Sequence, residues 1–159
     1  MQQTFRIYKA KKEDAGRIAE LAVLMWTEHT VEGLTAEFAE ILQADGAVFL
    51  AEGTGDETET AAEPRAIGFA QCQLRHDYVE GTETSPVGYL EGIFVREEYR
   101  RQGLAKQLLA ACERWAEEQG CTEFASDCEL TNTASQEFHK KLGFAEANRV
   151  VCFVKPLGR

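Results

Sequence analysis

The sequence predicts an α/β fold in which helices cover the faces of a mixed β-sheet. Strand-like and helix-like segments follow one another along the chain, and each helix-like segment has an apolar face. The length of 159 residues suits one domain of this kind. We therefore expect a single domain over residues 1–159, with its elements in the order β-α-α-β-β-β-α-β-α-β.

The N-terminal half is predicted to form a strand, two helices and a hairpin. Asp14 marks the start of the first helix, because apolar residues recur near one face from Ala15 to Trp26. Gly33 is expected to break the helical pattern before a second, weaker helix. The acidic stretch 53–64 has nothing to bury and is interpreted as the exposed tip of the hairpin. The predicted segments are a strand at 4–8, helices at 14–26 and 34–44, and strands at 48–52 and 66–74.

The C-terminal half is predicted to hold the strongest strand and the strongest helix. Residues 87–95 are apolar almost throughout, as in a buried strand. In the helix that follows, apolar residues recur at helical spacing until Gly120 ends it. The predicted segments are a strand at 87–95, a helix at 103–119, a strand at 122–127, a helix at 132–142 and closing strands at Phe144 and 150–154.

Charge narrows the classes of partner. Lys and Arg number 17 and Asp and Glu number 27, which gives a net charge of −10. Such a surface repels nucleic-acid phosphates and anionic lipid, so we expect no nucleic acid and no membrane as a partner. It attracts cationic ligands, although solubility alone explains the same charge.

The cysteines and the N-terminus indicate a cytoplasmic protein without a metal. The five cysteines are odd in number and form no Cys-x-x-Cys pair, as expected of reduced thiols. They form no metal-ligand cluster with the three histidines. No apolar run reaches the roughly 18 residues of a membrane helix, and the N-terminal residues mix charges where a secretory signal would be apolar.

The segment from Leu90 to Leu109 carries the clearest chemical signal. An apolar strand ends at Val95, charged residues follow, and Gly103 opens an amphipathic helix. Free backbone N–H groups at a helix N-terminus, with arginines beside them, form a cradle for pyrophosphate. Many turns of this kind bind no phosphate, so the layout alone is a weak signal.

The spacing Arg100-x-x-Gly103-x-Ala105 resembles the acyl-coenzyme A signature of the GNAT superfamily of N-acetyltransferases, [Q/R]-x-x-G-x-[G/A]. A second segment, residues 132–144, is similar to the superfamily's helix motif N-x-x-[A/S]-x-x-x-[Y/H]-x-x-x-G-F. The resemblance implies the GNAT fold, which is a mixed, mostly antiparallel sheet flanked by helices. Acetyl-CoA would then lie in a splay between two central parallel strands, here the strands predicted at 87–95 and 122–127.

Longer strings narrow the resemblance to the bacterial aminoglycoside 6'-N-acetyltransferases. They include residues 75–79, 90–95 and 125–127, and the similarity covers nearly the whole chain apart from a lengthened stretch at 53–63. The resemblance implies direct transfer of acetyl from acetyl-CoA to the 6'-amine of an aminoglycoside in a ternary complex, conferring antibiotic resistance. Two alternatives stay open: an acetyltransferase of this fold for a polyamine, a small metabolite or a protein amine, and a non-catalytic acetyl-CoA sensor.

By the same resemblance, acetyl-CoA is held mainly by backbone groups. Those of Ile93, Phe94 and Val95 would pair with the pantetheine arm, and Asn132 would hydrogen-bond the cosubstrate near that arm. The pyrophosphate would lie on the turn that opens the helix, formed by Arg101, Gln102, Gly103, Leu104, Ala105 and Lys106.

Two carboxylates are the candidate catalytic residues. Glu91 lies within an apolar strand, where a charge needs a partner, and Asp127 ends the next predicted strand. The resemblance implies that both bind the acceptor ammonium and that its proton is accepted there, directly or through water. The alternatives are a salt-bridged or edge-facing Glu91 and an Asp127 that only caps a loop.

Three further residues are candidate acceptor contacts. Trp26 and Tyr78 align with substrate contacts of the family and would pack against sugar rings, although Trp26 also suits the core. Asn148 stands where the subgroup has an acidic residue, which puts one cation contact in doubt. Glu146 or the acidic loop would have to offset that loss.

The sequence leaves two interpretations open for His139 and two for the apolar run 150–154. His139 occupies the position of a tyrosine general acid in many family members, but it also suits a packed helix residue. The apolar run 150–154 fits a buried strand, and it also fits the interface of the homodimer that the resemblance implies.

Overall fold

The computed structural model describes residues 5–53 and 64–158 and places five strands in one sheet. The strands are β1 (Phe5–Lys9), β2 (Ala47–Gly53), β3 (Arg65–Arg75), β4 (Val87–Val95) and β5 (Phe124–Ala125). The helices are α1 (Ala15–Met25), α2 (Val31–Ile41), α3 (Leu104–Glu118) and α4 (Thr133–Lys141), with 3-10 turns at Lys12–Asp14 and Glu97–Tyr99. Among the described helices, none has both the length and the apolar character to cross a bilayer.

The sheet is mixed and mostly antiparallel, as predicted. Strands β1 to β4 pair antiparallel in chain order, and β4 pairs in parallel with β5. The parallel ladder is short, joining Gly88 to Phe124 and Tyr89 to Ala125. Strand β5 is therefore the edge of the described sheet.

Helices pack on both faces of the sheet. The face covered by α1 and α2 buries Leu50 and Phe69, whereas the face covered by α3 buries their chain neighbours Ala51 and Ala70, as strand alternation requires. Each fully buried Leu, Ile or Phe contributes roughly 1.5–3 kcal/mol relative to an exposed position. The largest side chains that the helices bury fully are Ile18, Leu21, Leu34, Phe38, Leu104 and Leu108.

Strand β4 contains one extra residue at Glu91. On β3, Gln71 pairs with Gly92 and the next residue, Cys72, pairs with Leu90. Glu91 therefore has no partner in the β3 ladder, which defines a β-bulge. Such bulges change the direction in which neighbouring side chains point.

The bulge decides which face Glu91 occupies. Leu90 and Ile93 both pack in the core under α3, although strict alternation would place residues three apart on opposite faces. Gly92 lies against Trp26 on the α1 face. The irregularity between Leu90 and Ile93 thus allows Glu91 and Gly92 to share the α1 face.

Two predictions about single elements need correction. Gly33 does not break a helix, because α2 begins at Val31 and Thr30 caps it by accepting a hydrogen bond from the N–H of Gly33 at 3.1 Å. The strand predicted at 122–127 is reduced to Phe124–Ala125. Most of the acidic stretch 53–64 lies outside the described residues.

The predicted closing strands at Phe144 and 150–154 are wrong for the single chain. Residues 145–158, named here the C-terminal segment, form no helix or strand, and Val151, Phe153 and Val154 are 72%, 92% and 93% exposed. A strand needs a neighbour for its backbone hydrogen bonds. The described chain does not provide that neighbour to this segment.

Candidate active site

The N-terminus of α3 is shaped to receive an anion. Gly103 is its N-cap with a φ of 78°, and Arg101 is also left-handed with a φ of 64°. A Cβ on Gly103 would meet nothing within 4 Å, so glycine is favoured here by the left-handed backbone conformation and not by a lack of space. The N–H of Gln107 donates to the carbonyl of Gly103 at 3.1 Å, and the N–H groups of residues 104–106 point out of the helix start. They carry its partial positive charge.

Next to this turn, β4 has an open backbone edge. In the described residues, β5 pairs only with the first half of β4, so residues 93–95 have no strand partner on that side. Arg100 fixes the turn to the strand, because its Nε donates to the carbonyl of Val95 at 2.8 Å. An extended ligand with amide groups, such as a pantetheine arm, fits this edge.

Asn132 is the N-cap of α4. Its Oδ1 accepts a hydrogen bond from the N–H of Ser135 at 3.0 Å. Capping fixes the side chain, and its amide NH2 group is the part that can donate to a ligand. The turn, the open edge and this amide together fit the pyrophosphate and the amide-bearing arm of coenzyme A.

On the α1 face of the sheet, two side chains of β3 hold Glu91. Gln73 donates to Oε1 of Glu91 at 2.6 Å, and Arg75 donates to the same oxygen at 3.0 Å. Both alternate with Leu74, which packs in the core under α3. Glu91 is thus salt-bridged to Arg75, and its side chain remains 21% exposed.

Arg75 and Tyr89 connect Glu91 to Asp127. The guanidinium carbon of Arg75 lies 3.5 Å from the ring centroid of Tyr89. Burial, followed by hydrogen bonding to Asp127, raises the pKa of Tyr89 above its ordinary value. We call Glu91, Arg75, Tyr89 and Asp127 the polar row. It contains both candidate catalytic carboxylates.

A cleft of about 650 Å³ opens at the Asp127 end of the polar row. Its wall includes Arg75, Tyr78, Tyr89, Asp127 and Asn148, so the structure brings three of the predicted acceptor residues together. Glu91 and Trp26 do not form the wall, and Arg75 occupies it where Glu91 was expected. The cleft has room for at least part of a drug-sized ligand.

Trp26 lies at the end of α1 and is half-buried. Its ring stacks on Phe38 with centroids 6.4 Å apart and meets Phe69 edge-on at 6.3 Å. Its other edge borders the sheet, because a Cβ built on Gly92 would lie 3.0 Å from the ring. The ring is therefore anchored in the core and still borders the residue next to Glu91.

Tyr78 and Asn148 meet at a carboxylate that the sequence analysis did not identify. Tyr78 is 76% exposed, and its hydroxyl donates to Oε2 of Glu80 at 3.3 Å. Nδ2 of Asn148 donates to Oε1 of Glu80 at 2.6 Å. Glu146 instead pairs with Arg149, whose hydrogen bond lowers the pKa of the Glu146 carboxyl. Glu80 is thus the carboxylate that stands beside the neutral Asn148.

Both ring nitrogens of His139 hydrogen-bond within the protein. Nδ1 contacts the carbonyl of Ser135 at 2.7 Å, and Nε2 contacts the hydroxyl of Ser126 at 2.8 Å. A carbonyl only accepts, so Nδ1 carries a proton and donates it to Ser135, whereas Nε2 lies at the Ser126 hydroxyl, which is also 3.4 Å from the carbonyl of Leu90. This arrangement favours the packed helix residue over a free general acid.

Four residues of the site were missed by sequence reasoning, namely Gln73, Arg75, Glu80 and Tyr89. A signal existed for two of them, because Gln71, Gln73 and Arg75 recur at every second position of β3 and so mark a polar face. Glu80 had no such signal, since its partner Asn148 lies 68 positions away. In the parts of the chain that the structure describes, no group of three or more His, Cys, Asp or Glu side chains is arranged to hold a metal ion.

Known proteins with similar sequences and structures point in one direction. A model of the acetyltransferase (GNAT) family matches residues 10–144. An aminoglycoside N(6')-acetyltransferase type 1 from Salmonella typhimurium is 46% identical over 132 residues, which cover 82% of this chain and 85% of the relative.

Solved structures agree with this match. The aminoglycoside N-acetyltransferase AAC(6')-Iy in complex with CoA aligns with a TM-score of 0.88 and 40% identity, over 99% of this chain and 98% of that one. AAC(6')-Iy in complex with the bisubstrate analogue CoA-S-monomethyl-acetylneamine aligns with a TM-score of 0.84 and 41% identity, over 97% and 99%.

Proposed function

The chain belongs to the GNAT family of acetyltransferases and, within it, to the aminoglycoside N(6')-acetyltransferases of type 1, and from this premise we propose that it transfers acetyl from acetyl-CoA to the 6'-amine of aminoglycosides. The observation that carries the proposal is the 46% identity across 82% of the chain. The geometry supports it, because the anion-binding turn and the acidic acceptor cleft both border the same β-sheet.

The cosubstrate side of the site uses backbone groups. Acetyl-CoA supplies a thioester carbonyl that an amine attacks directly. Residues 101–106 hold its pyrophosphate at the N-terminus of α3, and residues 93–95 hold its pantetheine arm along the open edge of β4. The side-chain amide of Asn132 adds a donor to this set.

The acceptor side uses carboxylates and aromatic rings. Glu91 and Asp127 bind the 6'-ammonium, and the first of the two protons that the nitrogen must lose passes to Glu91 directly or through water. The C–N bond then forms as the C–S bond breaks, and the sulfur leaves as a thiolate that takes up the second proton. Trp26 and Tyr78 pack against the sugar rings, and Asn148 contributes a polar contact at the far side of the cleft.

The biological consequence follows from charge. Acetylation converts an ammonium into a neutral amide, which weakens the attraction of the drug to ribosomal RNA phosphates. The proposal therefore includes antibiotic resistance, and it places the enzyme in the cytoplasm, where acetyl-CoA and ribosomes occur together.

We also propose that the chain works as a homodimer. The C-terminal segment carries an exposed apolar set that a single chain does not cover, namely Val150, Val151, Phe153, Val154 and Leu157. Exposed apolar patches of this kind mark association surfaces. The edge strand β5 offers a partner's segment a place to pair.

Light scattering after size-exclusion chromatography tests the dimer. We expect the wild-type chain to have twice its 17.7 kDa mass, and the double variant Phe153→Ser with Val154→Ser to run as a monomer. Leu24→Ser is the matched control, because Leu24 is 50% exposed and lies on α1 outside the segment. A monomeric wild type contradicts the proposal.

Thiol release from acetyl-CoA tests the activity. We expect turnover with kanamycin and none with its analogue that bears a hydroxyl at the 6' position. Turnover with both would point to another ring amine. No turnover with either would favour the polyamine, metabolite or protein acceptors, or the sensor.

Site variants test the roles of the two carboxylates. Glu91→Gln and Asp127→Asn should each lower kcat/KM for kanamycin by about 100-fold, because general-base help and ammonium binding are lost. The KM for acetyl-CoA should stay unchanged. Glu129→Gln is the control, since Glu129 is exposed two residues from Asp127 and outside the cleft wall. Equal loss in the control would contradict the assignment.

A further inference from the structure

We propose that Arg75 is a positioning residue of the acceptor site, which fixes the Glu91 carboxylate so that one of its oxygens is presented to the acceptor ammonium. This inference rests on the proposed function and names a residue that the transfer needs in addition to the two carboxylates. It is drawn from the polar row, in which Arg75 contacts both Glu91 and Tyr89.

The hydrogen bonds on Glu91 are distributed unequally between its two oxygens. Oε1 accepts from Nε2 of Gln73 at 2.6 Å and from two nitrogens of Arg75 at 3.0 and 3.3 Å. Oε2 has one longer contact, with Arg75 at 3.3 Å. An ionised carboxylate has about four acceptor positions, so Oε2 retains capacity for an ammonium. The arrangement holds the side chain through one oxygen and leaves the other to the ligand.

The bulge makes this support necessary. Glu91 has no partner in the β3 ladder, so regular strand pairing does not fix its backbone. Gln73 and Arg75 belong to the regular part of β3, where they pair with Tyr89 and Val87. They connect an irregular residue to a rigid strand.

Arg75 is itself fixed by stacking. Its guanidinium lies 3.5 Å from the centroid of the Tyr89 ring. A planar guanidinium can stack on a ring and also donate to a carboxylate through its edge, whereas an ammonium does not combine the two geometries. Arginine therefore suits this position better than lysine does. Arg75 also lines the cleft that we propose receives the acceptor.

Steady-state kinetics with kanamycin and acetyl-CoA test the inference. We expect Arg75→Gln to lower kcat/KM for kanamycin by about 10- to 100-fold, because a misplaced reacting group costs rates of this order. The KM for acetyl-CoA should not change. Arg75→Lys should recover part of the loss, since it restores a cation without the stacking. A lower KM for kanamycin in Arg75→Gln would overturn the inference, because Arg75 would then compete with the acceptor.

A double-mutant cycle with Glu91→Gln separates positioning from general structural support. If Arg75 acts through Glu91, the double variant should have a kcat/KM for kanamycin less than about threefold below that of Glu91→Gln alone. Additive losses would overturn the inference. Arg65→Gln is the matched control, because Arg65 pairs with Glu98 at 3.5 Å at the opposite end of the same strand. It should keep wild-type kinetics.

The same assay separates this inference from the proposed function. Absence of kanamycin turnover in the wild type would contradict the proposed function. If the wild type turns over kanamycin and Arg75→Gln does so equally well, the inference is contradicted and the proposed function is not. Circular dichroism and the melting temperature of each variant would show that a kinetic loss does not come from unfolding.

Discussion

The side-chain amide of Asn148 donates a hydrogen bond of 2.6 Å to Oε1 of Glu80, which joins the C-terminal segment to the loop between β3 and β4. The other oxygen of Glu80 accepts from Tyr78. This side of the cleft therefore keeps a negative charge although residue 148 is neutral. Asn148 holds the Glu80 carboxylate, which belongs to a different part of the chain, beside itself.

Glu80 should contribute to acceptor binding. We expect Glu80→Gln to raise the KM for kanamycin by about 3- to 10-fold with little change in kcat, because a screened ion pair with a remote ring amine contributes to binding and not to proton transfer. Steady-state kinetics measure both constants. Glu83→Gln is the control, since Glu83 is exposed in the same loop but is not part of the cleft wall. The same change in both variants would show a general charge effect.

Gly92 should be required for the placement of Trp26. A Cβ at this position would lie 3.0 Å from the indole ring and 3.4 Å from Met25. We therefore expect Gly92→Ala to displace the ring, lower the free energy of unfolding by about 1–3 kcal/mol and raise the KM for kanamycin. Urea unfolding and kinetics test the two effects.

Gly16 provides the comparison for this substitution. It lies in α1, and a Cβ there would meet nothing within 4 Å. Gly16→Ala should leave the KM unchanged and stabilise the chain by about 0.5–1 kcal/mol, because alanine is the better helix former. If Gly92→Ala leaves both the KM for kanamycin and the stability as Gly16→Ala does, the placement of Trp26 does not depend on the missing side chain at Gly92.

The parts that the sequence predicted well are those that local patterns determine. The helix capped by Gly103 carries an apolar pattern at helical spacing, the strand over 87–95 is a nearly continuous apolar run, and both lie where they were predicted. The fold class followed from the order of such segments. Glu91 was noticed for the same local reason, because a carboxylate is conspicuous in an apolar strand.

Contacts between distant parts of the chain were not predictable in this way. Arg75 and Glu91 are 16 positions apart, and their contact depends on a bulge that the residues around it do not predict. The run 150–154 has the same apolar pattern whether a strand pairs within its own chain or with a partner. Sequence periodicity contains no information on that choice, and the single chain leaves the run exposed.

Alkaline pH should destabilise the fold through Tyr8. Its hydroxyl accepts from Arg17 at 2.7 Å and donates to Asp14 at 3.3 Å, and burial, followed by the nearby carboxylates of Glu52 and Asp14, raises its pKa above the ordinary value of 10.0. The unfolded chain therefore ionises this phenol at lower pH than the folded chain does. The stabilisation is complete below about pH 10 and is lost as the pH rises above it.

The comparison with Tyr8→Phe isolates this contribution. The variant should be less stable than wild type at pH 8, because the hydrogen bond with Arg17 is lost. The difference should narrow as the pH rises above about pH 10, since only the wild type has a phenol to titrate at position 8. Urea unfolding at several pH values measures it. Parallel stability curves would exclude Tyr8 as the titrating group.

The left-handed glycine at the start of α3 should matter for cosubstrate binding. Gly103→Ala places a Cβ on a residue with a φ of 78°, which costs about 1–2 kcal/mol. Gly120 ends the same helix with a φ of 91° and also has open space around its Cβ position, so Gly120→Ala introduces the same kind of strain far from the turn. Both variants should lose similar stability in urea unfolding. Only Gly103→Ala should raise the KM for acetyl-CoA, by about 10-fold, because only there would the strain fall on the N–H groups proposed to bind the pyrophosphate. An unchanged KM in Gly103→Ala would show that the pyrophosphate does not lie on this turn.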